Sequence, residues 1–599
     1  MSSTIKTKIE SSILPKASVL ASQLYDAPPE GRLDFIRLDF NESTSPLADT
    51  YPEGMPPSLV STYPEYGVLL QKLAEYYDVS TDSIILTNGS DEAISVISNT
   101  FVEPNQDVAV VSNPCFVMIR NCLKIAGAKL AEVAVLPNLE FDIDSIEGCL
   151  EKNPKIAMFA SPDNPTGSVL KTETVEKWCE KFPRTLFVID EAYSEYAGTT
   201  VIPLLKKFEN LLILKTFSKA WGMAGFRLGM IIGNPNLNQY INRVKLPYSV
   251  NSAAVFSALR LLERETDVAA RVKVAVEQRS KLARTLDARG FSVQETSANW
   301  CLIGAGMQAA ALTKFAREKS VLIRNRSTSD FSRFGVDANS DLDAGRSGIA
   351  VPPMWGRIRV SVGNDQEMTA FDDILEQFGK TYGLLFDLDG TLVDTSKSFD
   401  ETVAYLVEKF SGKPFDLKEL HALRLEGGYN DDWVASTELL KRRGKTVALS
   451  DVARAGEEYY FSIAIDREEL LVSIELLKKL RRRCQLFIVT GRNRREYAKV
   501  WGERLDPLFD KVYCMGDIAG LEAKPSPDYL NQAMSDFGIT CGAYIGNSVD
   551  DMRASVGAGL VAIGVTTGAD RDAFIEAGAQ AIVSNCSEIG ELMMVTKQV

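Results

Sequence analysis

Two groups of residues in this chain are spaced to do chemistry. The first centres on Lys219, in the run LLILKTFSKAWGMAGFRLGM at 211–230. The run begins as a short apolar stretch suited to a buried strand. It breaks at Thr216-Phe217-Ser218-Lys219 and passes Gly222, Gly225 and Gly229. A lysine just past a strand end, confined among hydroxyls and small residues, can become a nucleophile toward carbonyls. The same stretch also reads as a surface lysine in a glycine-rich turn, so the choice depends on what the rest of the chain places around it. The second group begins at Asp387-Leu388-Asp389-Gly390-Thr391, directly after the apolar run GLLF. Carboxylates at i and i+2 of an extended segment point the same way. Such a pair can hold a hard divalent cation and attack phosphorus. Thr490 in IVTGR can bind a transferred phosphoryl group, Lys524 in AKPSP can neutralise its charge, and GNSVDD at 546–551 adds oxygen donors. Together they make a phosphoryl-transfer set that needs no histidine.

Further residues fall where a ligand of Lys219 would need them. Asn88-Gly89-Ser90-Asp91-Glu92 follows the apolar run SIILT and opens a helix, so its free amides could cradle a phosphate. It also reads as an ordinary capped helix start. Phe116 could stack on an aromatic ring or simply pack in the core. In SPDNPTG, at 161–167, the two prolines fix a turn that presents the Asn164 amide. In VIDEAY, Asp190 ends an apolar strand, and a half-buried carboxylate requires a cationic partner. Arg227, Thr216 and Ser218 could return to the phosphate.

Composition narrows the chemistry. The 599 residues contain one histidine, His421, which nearly excludes triad hydrolysis, His-ligated zinc and histidine acid–base relays. Nine cysteines with no C-x-x-C give neither a disulfide framework nor a zinc site and fit a reducing compartment. The net charge of −14 argues against nucleic acid and against an anionic membrane surface. No apolar run approaches a membrane span. The expected location is the cytoplasm, with an organelle still open, because the first 25 residues carry only a weak targeting signal.

The elements that must position these residues follow from periodicity. From Tyr63 to about Ala310, helical stretches alternate with the apolar runs SIILTNGS, DVAVVSNP, KIAMFASPDNP, TLFVIDEAY and LLILKTFSK. That pattern predicts a mostly parallel α/β sheet with ligands at the carboxyl ends of its strands. Residues 293–325 and 357–379 predict a smaller α+β lobe, with strands near NWCLIGA, VLIRN and RIRVSVG and a closing helix from about Asp365. The aperiodic segment from Ser327 to Gly356 is expected to be a lid or disordered. A second strand–helix alternation starts at Gly383 and continues through QLFIVTGRN, DKVYCMGD, GAYIGNSVDD and LVAIGVTTG, with a helical insert at about 397–480.

The motifs LDFNES, TYPEYG, TNGSDEAI, SPDNPTG, VIDEAYSEY, TFSKAWGMAGFRLG and RIRVSVG occur in one order over residues 1 to about 380. This part resembles the fold-type-I pyridoxal phosphate aminotransferases, and within them the histidinol-phosphate aminotransferase branch. The resemblance implies a large domain at about 50–290 and a small domain made of 1–50 and 291–380. It implies a Schiff base on Lys219, Asp190 on the pyridine nitrogen, Asn164 and Tyr193 on the ring hydroxyl, and Phe116 on the ring face. Gly89, Ser90, Thr216, Ser218 and Arg227 would bind the cofactor phosphate. Arg359 and Arg324 would bind the substrate's anionic groups, and Tyr63 would reach the partner's site in a homodimer. The 327–356 segment is longer than the family usually carries there, and it is expected to cover the acceptor site.

Residues 381–599 resemble the haloacid-dehalogenase-like phosphohydrolases, a Rossmann-like fold with an inserted helical cap. By that resemblance Asp387 is the nucleophile and Asp389 the general acid and base. Thr490 and Lys524 bind substrate, and Asp387, Asp389, Asn547 and Asp551 surround Mg²⁺. Asn547 stands where the family usually has aspartate. His421, Arg424 and the turn from Glu426 to Trp433 could face the substrate or form an ordinary polar turn. The expectation is a bifunctional enzyme. It would transaminate imidazole-acetol phosphate with glutamate and hydrolyse a phosphate monoester, histidinol phosphate being one candidate. Alternatives are an aminotransferase for another amino acid, a decarboxylase of a phospho-amino acid, or a hydrolase unit of unrelated substrate or purely regulatory role.

Overall fold

The computed structural model describes residues 32–42, 52–327, 354–395, 397–426, 429, 431–566 and 571–594. The N-terminal stretch considered for targeting, and most of the segment expected to form a lid, lie outside these residues.

The alternating runs assemble into a seven-stranded sheet. Its order is Ile84–Asn88, Leu228–Gly233, Leu211–Thr216, Leu186–Asp190, Ile156–Ala160, Val108–Asn113 and Lys129–Ala134. All neighbours pair in parallel except Leu228–Gly233, which is antiparallel to both strands beside it. Along each strand, alternate residues enter two different cores. Ile189, Ile213 and Phe159 belong to one, and Val188, Leu212 and Met158 to the other. This is the burial pattern of a sheet covered on both faces. The strands end together, so Asp190 and the turn after Thr216 share one rim.

The smaller lobe is an antiparallel sheet of Arg324–Asn325, Arg357–Ser361, Trp300–Gly304 and Ser292–Glu295. Its closing helix, Asp365–Thr381, starts with a capping box between Asn364 and Glu367. The next residue opens the strand Tyr382–Phe386, so the two halves are joined without a linker. That strand is central in a six-stranded parallel sheet ordered Lys511–Met515, Gln485–Asn493, Tyr382–Phe386, Cys541–Gly546, Val561–Val565, Ala581–Val583. Four helices, Phe399–Ser411, Leu417–Leu425, Asp432–Arg442 and Leu449–Arg467, form the insert. The helix Ile474–Arg481, grouped with the insert by its sequence pattern, packs Leu477 and Leu480 into the core of the second half instead.

The small lobe and the second half share one apolar core. Ile303, Leu312, Ile358 and Phe371 belong to the same buried cluster as Leu384, Leu486, Ile545 and Leu592, whereas the two cores of the large sheet contain no residue after Met354. Arg483 locks this junction. Its Nη2 donates to the Ala305 carbonyl at 3.0 Å and to Gln308 Oε1 at 2.7 Å, and Nη1 donates to the Met593 carbonyl. The guanidinium lies 4.2 Å from the Phe291 ring centroid. Burial lowers its pKa to about 10. Arg483→Leu would leave these oxygens buried without a donor, at a cost of about 1–3 kcal/mol. Because the core is common, heating should inactivate the functions of both halves of this variant sooner than in the wild type. Loss confined to the second half would contradict a shared core.

Candidate functional sites

A cavity of about 770 Å³ opens at the rim of the large sheet and reaches the small lobe. Ser90, Phe116, Asn164, Asp190, Tyr193, Thr216, Ser218, Lys219, Arg227, Arg324 and Arg359 all line it. Gly89 is buried beside it, and Tyr63 lies elsewhere, 75% exposed and stacked on Tyr248 at 4.6 Å. Of two neighbouring lysines only one faces the space. Lys215 is buried against Glu191 at 2.9 Å, while Lys219 Nζ donates to the Phe40 carbonyl at 3.0 Å.

Buried charge is concentrated on two sides of this cavity. Asp190 is 3% exposed and accepts one hydrogen bond, from the Ala192 amide at 3.1 Å. Burial pushes its pKa up to about 7, against the opposing pull of Lys219. Gly89 and Gly229 make a close cradle. A Cβ on Gly89 would meet Arg227 Nη2 at 2.5 Å, and one on Gly229 would meet the Gly89 carbonyl carbon at 2.5 Å. Thr216 and Ser218 place their hydroxyls 3.0 Å apart on the same rim. Across the cavity, Arg324 and Arg359 are directly opposed on adjacent strands, a like-charge placement that favours an anionic ligand nearby. Arg359 is 4% exposed, and its Nη1 donates to Asn164 Oδ1 at 2.6 Å.

Asn41 and Arg326 had no predicted role. Asn41 Nδ2 donates to the Tyr193 hydroxyl at 3.1 Å and Asn41 Oδ1 accepts from Ser361, tying the ring-facing tyrosine to the small lobe. The signal was present, since Asn41 belongs to LDFNES. Arg326 lines the cavity two residues beyond Arg324.

The second site lies at the carboxyl end of Tyr382–Phe386. Lys524 Nζ stands 2.7 Å from Asp387 Oδ1, 2.6 Å from Asp551 Oδ1 and 2.9 Å from the Tyr544 hydroxyl. Burial, reinforced by Asp551 and Asp389 against the opposing Lys524, pushes Asp387 up to about 7. Thr490 is buried at the end of the neighbouring strand, and its hydroxyl lies 3.4 Å from Asp389 Oδ2. Asn547 packs against the turn after Asp389: a Cβ on Gly390 would meet its Nδ2 at 2.1 Å.

Asp551 sits in the first turn of the helix Val549–Gly557, where its Oδ2 accepts from Ser548 in a capping box and its Oδ1 accepts from Lys524 and Tyr544. Among the described residues no cluster of three acidic, histidine or cysteine side chains could hold a metal. The oxygens at this end of the strand come from Asp387, Asp389, Asn547 and Asp551, and hard donors of this kind suit Mg²⁺, which keeps several waters.

Comparison with known proteins matches these two sites to two families. The family model "Aminotransferase class I and II" matches residues 58–372. The chain belongs to this aminotransferase family. The model for haloacid dehalogenase-like hydrolases matches residues 383–559. Curated relatives include the histidinol-phosphate aminotransferase of Ruminiclostridium cellulolyticum, 31% identical over 313 residues, covering 49% of this chain and 85% of that protein. That of a Thermoanaerobacter species is 34% identical over 306 residues, covering 50% and 84%. The crystal structure of the Sinorhizobium meliloti histidinol-phosphate aminotransferase, in complex with pyridoxal-5'-phosphate, shares the fold. Its TM-score is 0.52 at 22% identity, over 61% of this chain and 98% of that one. The aminotransferase half thus implies pyridoxal 5'-phosphate and the hydrolase half Mg²⁺. The buried Asp190, the Gly89 cradle and the free space beside Lys219 fit the first. Among the described residues no helix is long and apolar enough to cross a membrane.

Asp190 generates a pH prediction. Its pKa of about 7 in the fold lies above the ordinary aspartate value of about 4, so its burial cost is absent at low pH. The cost grows as pH rises toward 7, reaching roughly 4 kcal/mol. Cofactor-free Asp190→Asn should therefore melt higher than cofactor-free wild type at pH 8, and should retain cofactor poorly on dialysis. A lower melting temperature at pH 8 would contradict the burial argument.

Proposed function

We propose that the aminotransferase half transfers the amino group of glutamate to a phosphorylated keto acceptor, imidazole-acetol phosphate, and that the hydrolase half removes phosphate from the product. The observation that carries the reading is the Arg324–Arg359 pair facing the cofactor cavity. Two adjacent arginines suit an amino donor and an acceptor that both carry an anionic group close to the reacting carbon. The curated relatives support the choice of acceptor, being histidinol-phosphate aminotransferases. A phosphate ester made at the first site is a substrate class for the second.

In this reading Lys219 Nζ carries the cofactor and, once displaced by substrate, moves a proton at the substrate carbon. Asp190 holds the proton on the ring nitrogen. Asn164 and Tyr193 orient the ring hydroxyl, Phe116 covers the ring face, and Gly89, Ser90, Thr216, Ser218 and Arg227 hold the phosphate. Bound there, pyridoxal 5'-phosphate supplies the aldehyde and the electron sink. Asn164 meets Arg359 at 2.6 Å, so substrate carboxylate binding and ring orientation share one contact. A homodimer is part of the proposal. Tyr63, Leu246 and Tyr248 are 75%, 70% and 52% exposed, and Tyr63 stacked on Tyr248 gives an apolar surface suited to a second copy.

At the hydrolase site, an Asp387 oxygen attacks phosphorus. The ester P–O bond breaks, and the leaving alcohol takes its proton from Asp389. Water then attacks the phosphoaspartate, giving its proton back to Asp389 and releasing inorganic phosphate. Lys524 and Thr490 hold the phosphoryl oxygens. Asp387, Asp389, Asn547 and Asp551 would hold Mg²⁺, which would add positive charge at the phosphoryl group.

Histidinol phosphate with 2-oxoglutarate and Mg²⁺ should yield glutamate and free phosphate. Lys219→Ala should lose only glutamate and Asp387→Asn only phosphate, each by about 1,000-fold or more. Glutamate without phosphate from wild type would overturn the hydrolase substrate; neither product from cofactor-loaded protein would overturn the acceptor.

A further inference from the structure

The hydrolase site contains a charged device that none of the roles above uses. Arg492 has a side chain only 2% exposed, and it grips Asp389 by one oxygen alone. Nε and Nη2 donate to Oδ1 at 2.8 and 2.5 Å, leaving Oδ2 with only the distant Thr490 hydroxyl at 3.4 Å. On its far side Arg492 Nη2 donates to both oxygens of Glu468 at 3.0 Å, and Nη1 donates to the Tyr460 hydroxyl at 2.6 Å.

Glu468 stands at the hinge of the cap. The chain enters the cap before the helix Phe399–Ser411 and leaves it at Glu468, after the helix Leu449–Arg467. The two crossings pair as short antiparallel strands, Val393 opposite Leu470 and Asp394 opposite Glu469. Glu468, fully buried, accepts from Ser398 on the entering crossing at 2.6 Å, from Tyr460 of the cap at 3.0 Å and from Trp501 Nε1 of the core at 2.6 Å. The Arg492 guanidinium also covers Phe399, at 4.7 Å from its ring centroid.

A buried ion pair of this kind gives the fold little over apolar packing. Its distinctive property is where it leads: both chain crossings and a cap helix meet one carboxylate, which meets one guanidinium, which meets the catalytic acid. We propose that Arg492 is a positioning residue that fixes Asp389 by Oδ1 so that Oδ2 faces the leaving oxygen, and that through Glu468 this alignment depends on the seating of the cap hinge. The proposal rests on the reading of Asp389 as the group that protonates the leaving alcohol.

The test is leaving-group dependence in the full-length, cofactor-loaded enzyme with Mg²⁺. An alkyl phosphate such as histidinol phosphate needs a proton on its leaving oxygen, whereas p-nitrophenyl phosphate leaves readily without one. Arg492→Gln should lower kcat for the alkyl ester at least about tenfold more than for the aryl ester, with KM little changed. Glu468→Gln should shift the ratio in the same direction by less, and should speed amide hydrogen exchange in 399–411. The double variant R492Q/E468Q leaves no unpaired buried charge and serves if a single variant does not fold. Equal loss on both esters, or no loss, would overturn the positioning role while leaving the hydrolase reading intact. A wild-type enzyme that hydrolyses neither ester would overturn that reading and the proposal with it.

Discussion

The architecture of both sites depends on one constraint: a carboxylate buried at the carboxyl end of a parallel strand must be given a positive charge. Asp190 and Asp387 occupy the same kind of position in their two sheets, and burial pushes both up to about 7. They answer the constraint differently. Asp387 has Lys524 at 2.7 Å, a permanent cation that Asp551 in turn holds in place. Asp190 accepts from one amide and shares a cavity with Lys219, where a cofactor's ring nitrogen would supply a closer cation. The first site is therefore built to receive a cofactor, the second to receive an anion and a metal.

The shared apolar core gives the fusion its physical meaning. The hydrolase half is not tethered at the end of an aminotransferase; its sheet begins where the small-lobe helix stops, and the two bury side chains in common. Arg483 contributes specificity to that junction, since a buried guanidinium bonded to neutral oxygens tolerates only one docking geometry. The small lobe also supplies Arg324 and Arg359 to the cofactor cavity. One lobe therefore joins the two catalytic centres, through its sheet on one side and its helices on the other.

Local chemistry was legible in the sequence. Strand ends, glycine approaches and the Asp-x-Asp turn are short-range features, and Asn164, Asp190, Lys219 and Arg227 line one cavity. Long-range contacts were not. Arg492 is the last residue of the IVTGR motif, yet its partners Asp389, Tyr460 and Glu468 come from the first strand's turn and from the end of the cap, and no periodicity encodes their meeting. The contacts of Asp551 are of the same kind: GNSVDD shows an acidic residue, but not that it meets Lys524 from a distant segment. The antiparallel strand Leu228–Gly233 is hidden by its glycines, of which Gly229 serves the close approach to Gly89 and Gly233 the packing against Leu212. The segment 328–353, read as a lid, lies outside the described residues.

The account turns on which amine faces the cavity that Asp190 closes. Borohydride reduction of the cofactor-loaded protein, followed by peptide mass mapping, tests this most directly because it fixes the cofactor to the amine that holds it. The expected result is a phosphopyridoxyl adduct on Lys219 alone. An adduct on Lys215 or any other lysine, or none in protein that demonstrably retains the cofactor, would contradict it.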